Sequence, residues 1–356
     1  MTARERFQKI MKFEPVDRLP VLALEPYEIP VIERWQKEGM PVNQSPEQYL
    51  GMDYLDKMYL GLCPIPAFEI KRLSETADEY VETDWLGGVV RRCKSAPSMY
   101  YGFIDHPIKG PDDWKRYKER LNPNSPGRLP ADLDKVVAAL NASTMPVGFD
   151  LFPFFFRLGF YTMGMERFLT AFYDEPQMMH DMFETWSHLV LELLTPVVSK
   201  VKWDFVPFTE DLAYKVAPHI SPEIYREYFV RHQEPIVRLL QKHGVKVICM
   251  WSAGDFRVLL PAMMEQGFNC IWPLERGSGM DPVAVRKKYG RSLVLGGGIP
   301  KEALISGPAA IDSEIQRLMP VIEEGGYIPA LDDMVSLEVP LSHYRHYIAA
   351  LRRIEL

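Results

Sequence analysis

The chain has 356 residues, 47% hydrophobic and 25% charged, with a formal net charge of −7. That is the composition of a globular protein long enough for a large core. No basic run resembles a track for a phosphate backbone, which excludes an evident nucleic-acid partner, and no apolar run is long enough to span a bilayer.

The start, "MTARERF", lacks the apolar region of a secretory signal. Four cysteines (Cys63, Cys93, Cys249, Cys270) are scattered without a CxxC pair. Both features fit a cytoplasmic protein in a reducing compartment. A homodimer is compatible with the chain.

In chain order, residues 4–11 read as an amphipathic helix and residues 18–24, "RLPVLAL", as a short apolar strand. A strand is expected near residues 53–60. Residues 80–92, "YVETDWLGGVVRR", place two extended segments around Gly87-Gly88, a hairpin signal. Residues 145–150, "MPVGFD", form the next strand, with a helix around 165–173. Residues 203–208, "WDFVPF", form another, followed by Ser221-Pro222-Glu223, a helix start.

The second half is more regular. Strands are expected at 245–251, 268–273, 292–295 and 327–331. Helices are expected at 257–267, 282–289, 309–324 and 342–354. The strands are mostly continuous apolar runs, as when a parallel sheet is covered on both faces. Strand–helix alternation with about eight repeats predicts an α/β fold, a single (β/α)8 TIM-type barrel domain spanning residues 1–356. The hairpin then reads as an excursion over the barrel mouth. A doubly wound open sheet is the alternative, but no GxGxxG opens a helix after a first strand.

Chemistry in such a barrel sits at the carboxyl ends of the strands. Those ends carry Asp150, then Glu210 and Asp211 with Tyr214 and Lys215, then Ser252 and Asp255. Glu275 and Arg276 follow, then Gly296 to Gly298, and last Asp332 and Asp333. Clustered carboxylates can bind metal, transfer protons or anchor a cation. Some simply cap helices, and Asp255 and Asp281 are well placed as N-caps. The run "LFPFFFRLGFY" (151–161), with Phe152 and Phe154, is either core or an apolar wall for a flat substrate. Trp251 and Trp272 extend that wall. Cys249 lies in a strand, as a small hydrophobe or an inward-facing ligand.

With these residues in view, the sequence resembles the uroporphyrinogen decarboxylase superfamily along its length. "RERFQKIMKFEPVDRLPVL" (4–22) opens the resemblance and "TEDLAYKVAPHISPEIYREYF" (209–229) is its most specific piece. "GMDPVAVRKKYG", "LVLGGGIPKEAL" and "EEGGYIPALDD" continue it. The resemblance implies a (β/α)8 barrel. The true decarboxylase grips substrate carboxylates with an Arg-containing stretch ending in Gly-Arg-Tyr after the first strand. Here that place reads "ALEPYEIPVIERW", with Glu25 and Glu28. Acids there repel a porphyrinogen bearing many carboxylates.

The resemblance is instead nearest the corrinoid-dependent methyltransferases of anaerobes. It implies methyl transfer from a methylated or methoxylated, aromatic small molecule to a corrinoid (cobalamin) on a carrier protein, as in O-demethylation. Glu210, Asp211 and Asp332 are then the expected catalytic acids. Asp150, Phe152, Phe154, Tyr214, Lys215, Trp251, Ser252, Trp272, Glu275 and Asp333 are the expected substrate contacts. Zinc serves many relatives as a Lewis acid, but their His-x-Cys ligands correspond here to Trp251 and Ala253, and a further Cys falls near Asp332 and Asp333. A metal in this chain would depend on Glu210 and Asp332, with Cys249 as an outlying third. The alternative activity is decarboxylation of another carboxylated substrate.

Overall fold

The computed structural model describes residues 1–95 and 101–355. Seven parallel strands form one sheet: β1 (Asp56–Tyr59), β2 (Val147–Asp150), β3 (Phe205–Thr209), β4 (Val247–Trp251), β5 (Cys270–Leu274), β6 (Val294–Ile299) and β7 (Tyr327–Leu331). They are neighbours in chain order. Each strand from β2 onward is almost wholly buried, which explains their unbroken apolar sequences. Between them run the helices, and one apolar core extends from Phe7 to Leu351.

The predicted strand at 18–24 is not a regular strand. Its segment takes the eighth place in the wall through isolated parallel bridges, Leu22 to Asp53 beside β1 and Tyr27 to Val335 beyond β7. Pro20 removes one ladder donor. Arg18 supplies a substitute tie, gripping Asp53 with both guanidinium nitrogens at 2.8 Å. The result is a TIM-type α/β fold with one loosely laced seam.

Bulky rings fill the interior where glycines make room. A Cβ on Gly148 would lie 2.7 Å from the Phe205 ring, and one on Gly296 would lie 3.0 Å from Trp272. Phe205 and Trp272 meet at 5.9 Å, and Phe7 of the N-terminal helix (Ala3–Ile10) closes below at 5.6 Å from Phe205. The expected wall position of Trp272 is therefore corrected: it is 3% exposed and packs down into the barrel.

The hairpin belongs to a four-stranded antiparallel sheet, Arg72–Glu75, Glu79–Thr83, Val89–Cys93 and Tyr101–Asp105. It leaves the barrel after β1, from the mouth end, and rests Phe103 on Phe160 and Tyr161 at 6.2 and 5.5 Å. Several long helices escape the sequence pattern, among them Ile29–Lys37 and Pro176–Leu194. Gly296 to Gly298, expected as a loop, continue β6. Among the described residues, no helix is long and apolar enough to cross a membrane.

Candidate active site

The mouth is built around Trp251, the last residue of β4. Its indole Nε1 donates 2.7 Å to the Glu25 carboxylate, which the irregular 18–27 segment carries inward. The Arg157 guanidinium lies 4.8 Å above the Trp251 ring and 5.5 Å from the Phe152 ring. Arg157 stands in the first turn of the helix Phe155–Met163, directly after β2. It donates to the Tyr161 hydroxyl at 3.0 Å and the Glu210 carbonyl at 3.3 Å, and faces Asp211 at 3.7 Å. Burial works against its charge, but Asp211, Tyr161 and Glu210 outweigh that and hold it protonated.

Glu25 is the group the sequence reading left out of the site. It is 6% exposed. Burial pushes its carboxyl up to about 8, with Asp333 adding to the rise and the Trp251 N–H, Arg157 and Lys57 opposing it. At neutral pH it is mostly a protonated acid. No local motif marks it, because its partner Trp251 lies 226 residues away. The available signal was an acid standing where a related enzyme needs cations.

Most of the other mouth acids have partners of their own. Asp150 accepts from Lys57 at 3.2 Å and from the Thr209 hydroxyl at 2.6 Å. Asp333 accepts from Lys301 Nζ at 2.5 Å. Asp332 accepts from two backbone amides, Arg276 at 3.1 Å and Lys301 at 3.3 Å, the latter opening the helix Lys301–Ser306. Burial still carries the Asp332 carboxyl up to about 7, with Glu302 adding to the rise. Burial likewise raises Asp211, against Arg157 and His219, and lowers His219.

Several expected contacts serve the frame instead. Glu210 has no exposed surface. One oxygen accepts from the Phe156 amide at 2.7 Å, the other from Gln233 at 3.1 Å, so it binds the start of one helix to another. Burial raises its carboxyl to about 8. Phe154 is fully buried, stacked on Phe155 at 4.3 Å and edge-on to Phe208, so it belongs to the core rather than a substrate wall. Ser252 is fully buried and accepts from the Leu212 amide at 3.0 Å. Glu275 accepts from the Gly254 amide at 2.8 Å. Tyr214 is exposed, stacks on His219 and sits with exposed Lys215 on a small hairpin.

The turn after β4 now has a physical reason. Gly254 has φ +79°, and a Cβ there would lie 2.5 Å from the Ala213 backbone, so only glycine fits. Asp255 does not cap the next helix, which starts at Leu260. It grips Arg257 at 2.6 Å. Asp281 does cap its helix, accepting from Val283 and Ala284.

The metal set is corrected as well. Cys249 is buried beside Cys270 across the β4–β5 ladder, and burial raises its thiol strongly. Glu210 and Asp332 are held by the separate partners above. Among the described residues, no group of three or more His, Cys, Asp or Glu side chains could hold a metal. The donor set for zinc is not assembled here, and no step below runs through one.

A family model for uroporphyrinogen decarboxylase (URO-D) matches residues 101–354. The chain belongs to the URO-D family. The matched span takes in β2 to β7 and leaves Glu25 outside it. Among solved structures, this URO-D protein is similar to a methyltransferase from Methanosarcina mazei, at 16% identity and a TM-score of 0.61. That likeness covers 99% of this chain and 98% of the other, and it concerns the fold. A B12-independent methionine synthase from Shewanella sp. W3-18-1, in complex with selenomethionine, aligns at 9% identity and a TM-score of 0.41, covering 94% and 96%. No curated protein matches the chain.

Proposed function

We propose that the protein is a methyltransferase that takes a methyl group from an oxygen of a methoxylated aromatic molecule and passes it to a corrinoid on a carrier protein. The observation that carries this reading is a buried mouth carboxyl, Glu25, pushed up to about 8 by burial and held between the Trp251 N–H and the field of Arg157. An aryl ether loses its methyl group slowly, because the departing phenolate is a poor leaving group. A neutral carboxylic acid at the oxygen removes that difficulty. As the carbon–oxygen bond breaks, its electron pair stays on oxygen, which takes the Glu25 proton and leaves as a phenol.

The corrinoid would supply the nucleophile for the methyl carbon. This chain supplies the rest. Trp251 fixes the Glu25 carboxyl by its N–H and offers a ring face, with half-exposed Phe152 beside it. After proton transfer the Glu25 carboxylate is stabilised by Trp251, Arg157 and Lys57, the groups that already favour its ionised form. A carrier has somewhere to dock. Ile29, Tyr59, Phe152, Tyr214, Val216 and Leu337 are all exposed, and all lie at or after carboxyl ends of the barrel wall. Such an apolar rim is the usual chemistry of a protein contact.

The mouth's charges favour this reading over decarboxylation. Lys57, Lys301 and Arg157 each face an aspartate already. Arg276 is spent on Glu314 and faces Asp281. A substrate carboxylate at any of these four cations would have to displace an acid; among the described residues, exposed Lys215 on the small hairpin is the candidate grip that no acid faces.

The test mixes the purified protein, a reduced corrinoid carrier and a methoxylated aromatic, and follows methyl–cobalt absorbance. The expected result is formation with wild type and loss with Glu25→Gln. Carbon dioxide release from a carboxylated substrate without any corrinoid would overturn the proposal.

A further inference from the structure

The end of the barrel opposite the mouth holds a cavity of about 820 Å3. It opens between the N-terminal helix, the loop 198–204, the loop 243–247 and the first residues of β4 and β6. Its floor is apolar, with Phe7, Met11, Val201, Trp203, Val247 and Val294. Lys12, Lys200, Lys202 and Lys246 stand around it.

The charge accounting here is unusual. Lys200 pairs with Asp134 at 3.5 Å. Among the described residues, no hydrogen bond or ion pair engages the ammonium groups of Lys12, Lys202 or Lys246; the polar contacts of Lys202 and Lys246 are made by their backbones. The one acid in the lining, Asp204, is already used. It accepts from Gln8 at 2.6 Å and the Val147 amide at 2.8 Å, and pairs with Arg4 at 2.8 Å. So a chain of net charge −7 gathers uncompensated positive charge around one hollow.

Scattered surface lysines point apart into water, and their fields are screened. Lysines gathered on the rim of one hollow reinforce one another and concentrate anions there. The volume is that of a small-molecule site, and the lining sets polar groups, Gln8, Asn141 and His243 among them, around the apolar floor.

We propose that this cavity binds an amphipathic organic anion: a flat apolar body on the Phe7–Trp203 floor, bearing a phosphate or carboxylate among Lys12, Lys202 and Lys246. The site is independent of the methyl-transfer reading and stands or falls without it.

Titration calorimetry of the whole protein with phenyl phosphate, phenol and inorganic phosphate tests the site. Phenyl phosphate should bind saturably and more tightly than either fragment. Combining Lys202→Glu with Lys246→Glu, both at exposed positions, in a variant whose fold is checked by circular dichroism, should weaken phenyl phosphate at least about tenfold, or 1.4 kcal/mol. Raising salt should weaken it too. The proposal is overturned if phenyl phosphate does not saturate or if the double reversal leaves its affinity unchanged. It is equally overturned if inorganic phosphate binds as tightly as phenyl phosphate, because the apolar floor would then contribute nothing.

Discussion

The two ends of the barrel solve the problem of buried charge in opposite ways. At the mouth, Lys57, Arg157 and Lys301 each face an aspartate, and Glu25 and Asp332 are carried by burial towards their neutral forms. At the far end, the single acid of the lining is spent on the frame, and three lysines line a hollow with no ion-pair partner among the described residues. A site with balanced ions and neutral acids suits a neutral substrate that needs a proton. A site with spare cations suits an anion. The difference comes from the partners the fold brings together, not from composition: Asp204 meets an amide, a glutamine and an arginine, whereas Glu25 accepts one indole N–H.

The sharpest way to break this contrast is Glu25→Gln. The amide still accepts from Trp251 but has no acidic proton to give. Methyl transfer should fall roughly a hundredfold or more, with substrate affinity little changed. A variant with wild-type turnover would remove Glu25 from the chemistry.

Glu210→Ala comes next. It strands the Phe156 amide and the Gln233 side chain in a dry interior. Unfolding free energy should drop by about 2–4 kcal/mol, read from urea denaturation. A loss of turnover with stability intact would instead place Glu210 in the reaction.

The pH dependence of stability sharpens the comparison further. Glu25 and Glu210 ionise near 4.5 when unfolded but near 8 when folded, and Asp332 near 3.8 against about 7. Between those values the folded chain keeps protons that the unfolded chain has released. Stability is therefore full at low pH and declines as pH rises through the folded values. His232 has the opposite sign, held near 4 by burial against an ordinary 6.5, so the clean window lies between about pH 6.5 and 8. The urea midpoint should fall across that window, and fall less in Glu25→Gln. Parallel slopes for the two proteins would show that Glu25 is ionised throughout.

The smallest effect belongs to the far end. Lys202→Ala removes an exposed side chain whose ammonium has no partner among the described residues, so stability should stay within about 0.5 kcal/mol. A larger loss by thermal denaturation would mean that the lysine is tied to the frame and not free for a ligand.

The fold was legible where local rules decide it. Tyr327–Leu331 and Pro282–Tyr289 lie where their apolar run and their Asp281 cap put them. The family resemblance also led to the right class. Legibility failed where a residue's direction depends on distant chain. Phe152 and Phe154 are two residues apart in one aromatic run, yet one reaches the mouth and the other lies in the core against Phe208. Trp251 and Trp272 are register partners, but Gly296 gives Trp272 room to lean inward. Glu210 looked like a catalytic acid beside Asp211. Only the packing of Phe156 and Gln233 reveals a strut.

The seam at residues 18–27 has a consequence for motion. Two isolated bridges and side-chain ties, Arg18 and the Val21 amide to Asp53, Trp251 to Glu25 and Tyr27 to Tyr344, hold it, whereas β6 and β7 share a continuous five-residue register. Local opening needs the fewest broken ladder bonds there. Amides of residues 18–27 should accordingly exchange with heavy water well before those of Tyr327–Leu331. Glu25 rides on that seam, so its carboxyl is carried by the part of the wall with the sparsest ladder.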